Sequence, residues 1–188
     1  MGGMRLIFII CANLAFSTSE SATCQQGPLG YYWRDYVGEI PYDAVPGGID
    51  KSGQPTYIGQ AYIKGFELLP ATITAGSTTA MASAYNIAMP VNKNIKILCS
   101  NQLDKFSWLV TKSEEAHLIT NCHLVIGGSE VDEIVHIGRV NHHGQTVIGK
   151  VFSYRPVFKG LWIPHDGHEL NFASYEILTY NCNAHTGK

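Results

Sequence analysis

From Tyr31 onward the apolar positions fall in short runs rich in β-branched and aromatic residues. The clearest are Thr56 to Ile63, Glu67 to Thr74, Ile134 to Asn141 and Thr146 to Tyr154, separated by Gly, Pro, Asn and Ser. Runs of this length and content, bounded by turn residues, predict β-strands. Tyr31-Tyr32-Trp33 and Phe106-Ser107-Trp108-Leu109-Val110 predict two more, with large rings that anchor a core. The small, polar stretch from Ala75 to Ala84 predicts a loop or a weak strand. No stretch beyond residue 22 keeps a helical period long enough for an amphipathic helix.

The pattern occurs twice. Gly47 and Gly48 return 80 positions on as Gly127 and Gly128, and the acid two positions later returns as well, Asp50 as Glu130. Ile58-Gly59 returns as Ile137-Gly138, and Gly65 as Gly144, each 79 positions on. Trp33 has its counterpart in Trp108. Ile95-Lys96-Ile97-Leu98 closes the first copy and Tyr175-Glu176-Ile177-Leu178 the second. An internal repeat decides the fold before any single element does. The copies span about 31–99 and 106–181. Each is small for a core of its own, because small domains bury a smaller share of their surface. The expectation is therefore one all-β unit: two tandem repeats forming a pseudo-twofold, antiparallel, β-sandwich-like body with a shared core.

Residues 1–22 stand apart. Arg5, the apolar run Leu6 to Phe16, and the small and polar residues Ser17 to Ala22 follow the order of a secretory signal peptide. The run is shorter than the roughly 20 apolar residues that cross a bilayer. A buried N-terminal element is the alternative. Cleavage after Ser17, Ser19 or Ala22 would leave Cys24, Cys99, Cys122 and Cys182, an even number that suggests two disulfides. Chain ends often lie close together, which favours Cys24–Cys182 and leaves Cys99–Cys122. Four unpaired thiols are the competing reading. No later stretch predicts membrane insertion.

The chain of 188 residues is 45% hydrophobic and 15% charged, enough apolar content for a core. Its net charge of −2 gives no reason to expect nucleic acid as a partner. It has no phosphate loop, dinucleotide fingerprint or Gly-x-Ser-x-Gly elbow, so neither a cofactor nor an enzymatic activity is expected. Asp50 and Glu130 occupy equivalent points of two repeats, which suits separate sites better than a hydrolytic carboxylate pair. All eight histidines follow residue 116. His142-His143 and His165-Asp166-Gly167-His168-Glu169 match no zinc spacing, and no metal ligand is expected among them.

The Gly-Gly-x-acid turn, the following Ile-Gly step, the later glycine and the terminal Tyr-Glu-Ile-Leu together resemble the DM-nine repeat family. The resemblance covers nearly the whole chain after the leader. Two-repeat members of that family include invertebrate mannose-binding lectins. The resemblance implies an all-β fold and metal-independent binding of mannose-type glycans, by an acid of the Gly-Gly-x-acid turn and a lysine about twenty residues on. Carried over, it selects Glu130 and Lys150 in the second repeat. In the first it selects Asp50, with Thr72 at the lysine position. The second site is therefore expected to be the stronger. A carboxylate accepting from sugar hydroxyls and an ammonium donating to the other oxygens suit that chemistry. Gly127 and Gly128 would let backbone approach the ligand, and Tyr57, Tyr154 or Trp162 would pack on the sugar ring. The implied role is secreted, extracellular recognition of microbial glycans, with a homodimer or two working sites supplying avidity. The alternative from another class is a secreted protein-interaction module without sugar binding.

Overall fold

The structure is a computed structural model that describes residues 30–130, 132–153 and 159–182. The predicted leader, Cys24 and Tyr154 lie outside them. The described residues are all-β, apart from two short 3-10 turns at Leu103–Lys105 and Ala116–Leu118. No helix among them is long and apolar enough to cross a membrane.

The first half contributes β1 (Tyr31–Asp35), β2 (Pro46–Ile49), β3 (Pro55–Ile63), β4 (Glu67–Thr74), β5 (Ala80–Ala84), β6 (Ile87–Val91) and β7 (Ile95–Ser100). The second contributes β8 (Phe106–Lys112), β9 (His123–Leu124), β10 (Ile126–Glu130), β11 (Glu133–His142), β12 (Gln145–Phe152), β13 (Gly160–His165), β14 (His168–Phe172) and β15 (Ser174–Tyr180). The four runs read from the sequence are β3, β4, β11 and β12. The stretch from Ala75 to Ala84 divides into a turn and β5. Ala80, Ala82 and Ala84 there are fully buried, so packing and pairing hold a strand that alanine alone would not favour.

Strand pairing is duplicated. In the first half β1 pairs with β7, β7 with β3, β3 with β2 and β4, β4 with β5, and β5 with β6. In the second, β8 pairs with β15, β15 with β11, β11 with β10 and β12, β12 with β13, and β13 with β14. Even the irregularities match: the register shifts between Pro46 and Gly48, and again between Ile126 and Gly128. The β4–β10 contact at Ser129 and Leu68 joins the halves into one hydrogen-bonded network.

Among the described residues, three apolar clusters form the core. One belongs to the first half around Leu69, Ile73 and Ile97, and another to the second around Val151, Leu161 and Ile177. The central cluster is shared, built from the equivalent pairs Val45 and Val125, Ile58 and Ile137, and Leu98 and Leu178, with Ile148 and Tyr180. It lies where the two copies face each other, and neither copy can close it alone.

The paired glycines form the seam around that cluster. A Cβ on Gly47 would lie 2.4 Å from the Ile148 side chain, and one on Gly127 would lie 2.6 Å from Pro70. A Cβ on Gly128 would lie 2.0 Å from the carbonyl oxygen of Leu68. Hydrogen bonds cross the seam reciprocally. Gln60 Nε2 donates to the Gly127 carbonyl at 2.9 Å, and Arg139, at the equivalent position, donates to the Gly47 carbonyl at 2.9 Å. Arg139 also stacks over Trp108 at 4.2 Å and pairs with Glu176 at 2.7 Å.

The expected cysteine pairing is corrected. Cys122 and Cys182 form a disulfide, with Cα atoms 4.0 Å apart. The reason is local: β9 pairs with the end of β15, His123 opposite Tyr180, which brings the flanking cysteines together. Cys99 is not its partner but a free thiol, fully buried in the first core. Burial, with Asp43 beside it, pushes its pKa up to about 11. Deprotonation is thus suppressed in the fold and restored on unfolding. Iodoacetamide at pH 8 is expected to label the Cys99 peptide roughly a hundredfold or more slower in native protein than in denaturant, as read by peptide mass spectrometry. Comparable rates would show that the first core opens readily.

Candidate functional site

Glu130 ends β10, Lys150 stands in β12 opposite Ile137 and Trp162, and Glu169 is the second residue of β14. The structure brings all three together. Lys150 Nζ lies 2.5 Å from Glu130 and 2.8 Å from Glu169, and it donates to the Ser83 carbonyl at 3.1 Å. Those acceptors match the three hydrogens of an ammonium. Ser83 belongs to β5, in the other half. The β5–β6 turn closes over the group through Tyr85 and Asn86, at φ 50° and 64°, the left-handed pair that suits a tight hairpin turn. The Asn86 amide donates to Glu169 at 2.7 Å, and the Tyr85 amide donates to Glu130.

The sequence-selected pair Glu130 and Lys150 therefore meets, but under cover. Their side chains are 6% and 3% exposed, and that of Glu169 is 5%. Burial raises the Glu130 pKa, and the Lys150 ammonium opposes the rise. Sequence reasoning missed Glu169. Its signal lay in the His-Asp-Gly-His-Glu stretch, where Asp166-Gly167 makes the turn that sets Glu169 on β14.

The pseudo-twofold axis places a second locus at Asp50 and Thr72. Thr72 lies opposite Ile58 as Lys150 lies opposite Ile137, and Ala88 takes the place of Glu169. With lysine and glutamate replaced by small residues, the locus opens as a cleft of about 380 Å³, lined by Asp50, Thr56, Thr72, Thr74, Gln145 and Thr146 among others. Pro164, His165 and Asp166 of the β13–β14 turn wall it, as the β5–β6 turn covers its mate. Asp50 Oδ1 accepts from the Ser52 amide at 2.8 Å, the Ser52 hydroxyl at 2.9 Å and the Gln54 amide at 2.8 Å. Those bonds, the Gln54 amide first, hold its pKa below the usual aspartate value. Asp50 thus shapes its own turn and presents an ionised carboxylate at the cleft. Thr72 Oγ1 accepts from the Ile148 amide at 3.2 Å.

The supporting residues fall elsewhere. Tyr57 is half-buried against the first core. Trp162 is half-buried in β13 opposite Lys150. Gly127 and Gly128 provide the close approach of β10 to β4 across the seam. Set aside on spacing, His142, His143 and His165 converge, with one ring nitrogen from each inside a 4.8 Å group. Two hairpin turns that meet only in the fold produce that grouping.

A family model described as the DM9 repeat matches residues 65–172. The crystal structure of the nematode sperm cell motility protein MFP2B superimposes with a TM-score of 0.57 at 15% identity, covering 84% of this chain and 47% of that one. This likeness is one of fold, and the chain spans about half the length of that structure. No curated protein matches the sequence. Neither match points to a catalytic family.

Proposed function

The chain belongs to the DM9 repeat family, and we propose that it is a carbohydrate-binding protein whose first-repeat cleft holds mannose-type sugars through side-chain hydrogen bonds, without a metal. The carrying observation is the composition of that cleft: an ionised Asp50 carboxylate beside a lining rich in threonine, Thr72, Thr74 and Thr146, with Gln145. Carboxylates and hydroxyls match neighbouring sugar hydroxyls, and bonds to the charged group are the strong ones. Access favours this cleft over the Glu130–Lys150 pair, since a sugar there would have to displace Glu169 and the Ser83 carbonyl from a buried ammonium. A single open cleft binds weakly, so a homodimer would raise avidity on a repetitive microbial glycan. Secretion suits that target and agrees with the leader-like residues 1–22.

Calorimetric titration of methyl α-mannoside into wild type and Asp50→Asn tests this. The substitution keeps the turn-capping Oδ1 and removes the charge. Hydrogen bonds to a charged acceptor are the stronger ones, so binding is expected to weaken roughly tenfold or more. Equal affinity in the two proteins refutes the cleft as the sugar site. Loss of binding in Lys150→Met, at a temperature where its unfolding curve shows it fully folded, with binding kept in Asp50→Asn, would return the site to the second repeat.

A second reading, docking of a protein partner, draws on one sheet row. Tyr62, Leu68, Ser129 and Ile134 lie opposite one another across β3, β4, β10 and β11. Tyr62 and Ile134 are 51% and 56% exposed. Affinity capture in the presence of free mannose separates the two: a partner retained on wild type and lost on Ile134→Glu supports docking.

A further inference from the structure

We propose that His142, His143 and His165 form a binding site for a divalent transition-metal ion of the zinc or copper class, at the rim of the first-repeat cleft. His142 ends β11 and His143 begins the turn to β12, while His165 ends β13 at the turn to β14. The strands bring these turns side by side. Ring centroids are 4.2 Å apart for His142 and His143, 4.5 Å for His142 and His165, and 5.5 Å for His143 and His165. One nitrogen from each ring falls within 4.8 Å of the others. Nitrogens about 2.0–2.1 Å from a tetrahedral centre lie about 3.3 Å apart. Closing the difference takes ring rotation of about 1.5 Å or less, and the exposed His143 is free to supply it.

A second observation points the same way. His142 Nε2 is buried with no hydrogen-bond partner. A buried ring nitrogen without a partner costs stability, and a metal ion among the three nitrogens would satisfy it. Packing alone accounts for the His142–Phe172 contact at 5.5 Å, but not for three ring nitrogens gathered within 4.8 Å of one another. The imidazoles are ligands in the neutral form. Asp166 Oδ2 lies 3.2 Å from His165 Nε2, close enough to orient that ring or to supply a fourth ligand. Three imidazoles without a thiolate suit Zn²⁺, Cu²⁺ or Ni²⁺ rather than Mg²⁺ or Ca²⁺. His143 is exposed, so the ion exchanges with solvent. The ligands come from positions 142, 143 and 165, which is why no linear zinc spacing announces them.

Zinc titration of the full chain by calorimetry at pH 7.5, in the absence of sugar, tests the site independently of the sugar reading. Wild type is expected to bind one equivalent. His143→Asn and His165→Asn are each expected to bind at least about tenfold more weakly, since even outer-shell changes at metal sites cost 10–100-fold. His117→Asn, an exposed histidine elsewhere, should match wild type. Copper-loaded wild type should show nitrogen couplings in its electron paramagnetic resonance spectrum that decline in His143→Asn. No saturable one-to-one binding in wild type overturns the proposal. So does binding unchanged in both cluster variants while their thermal midpoints stay at wild type, because the ion then sits elsewhere.

Discussion

Lys150→Met is expected to destabilise the protein by about 3–5 kcal/mol at pH 7, the usual cost of removing one partner from a buried ion group. The variant keeps most of the side-chain volume but leaves Glu130 and Glu169 facing each other without the cation, each 5–6% exposed. The pH dependence identifies the cause. Glu130 already has a raised pKa in the fold; without the ammonium it rises further, above the roughly 4.3 of an unfolded glutamate. A carboxyl raised in the folded state takes up its proton in the fold before the unfolded chain does, so the native state gains relative stability as pH falls. Part of the Lys150→Met deficit should therefore return between about pH 7 and 5. Wild type, with one ammonium between two carboxylates, should change less over that window. Urea unfolding at the two pH values measures this, and a loss independent of pH would point to packing instead. The triple variant Glu130→Gln, Lys150→Met, Glu169→Gln should recover most of the stability, because it removes the buried charge while leaving acceptors for the Tyr85 and Asn86 amides.

The second large effect is at the seam. Gly128→Ala would place a methyl 2.0 Å from the Leu68 carbonyl oxygen, at a backbone φ of 153°. Neither carbonyl nor strand can yield without separating β10 from β4 and opening the central core. A cost of about 3 kcal/mol or more is expected, at the upper end for overpacking. Gly53→Ala is the control. Gly53 also has a positive φ, 79°, but nothing lies within 4 Å of its added Cβ, so it should lose only the roughly 1–2 kcal/mol of an unfavourable backbone. Equal denaturant midpoints for the two would show that the seam is loose.

Much of this organisation could be read from residue order. Gly47-Gly48 and Gly127-Gly128, Ile58-Gly59 and Ile137-Gly138, and the two closing strands disclosed a duplicated antiparallel unit, because each carries local turn or pairing chemistry. β5, β6, β13 and β14 were harder to read. β5 is mostly alanine, while β6 and β13 contain Pro90 and Pro164, so neighbours rather than propensity make them strands. The disulfide is not legible in residue order, because proximity of Cys122 to Cys182 depends on β9 adding to β15, a pairing of two residues with little sequence signal. Glu130 and Lys150 were selected together and do meet, yet the number of residues between them is silent on burial.

What residue order determined is the repeat, its all-β character and the identity of an acid and a lysine as equivalents of Asp50 and Thr72. Each follows from properties local to a turn or a strand. Only the tertiary structure decided that one of these loci is closed by Glu169 and the Ser83–Asn86 turn while the other stands open, and that three histidines share a corner. Those outcomes depend on which hairpin of one repeat lies over the other, and side chains far apart in the chain meet there only once the shared core has formed.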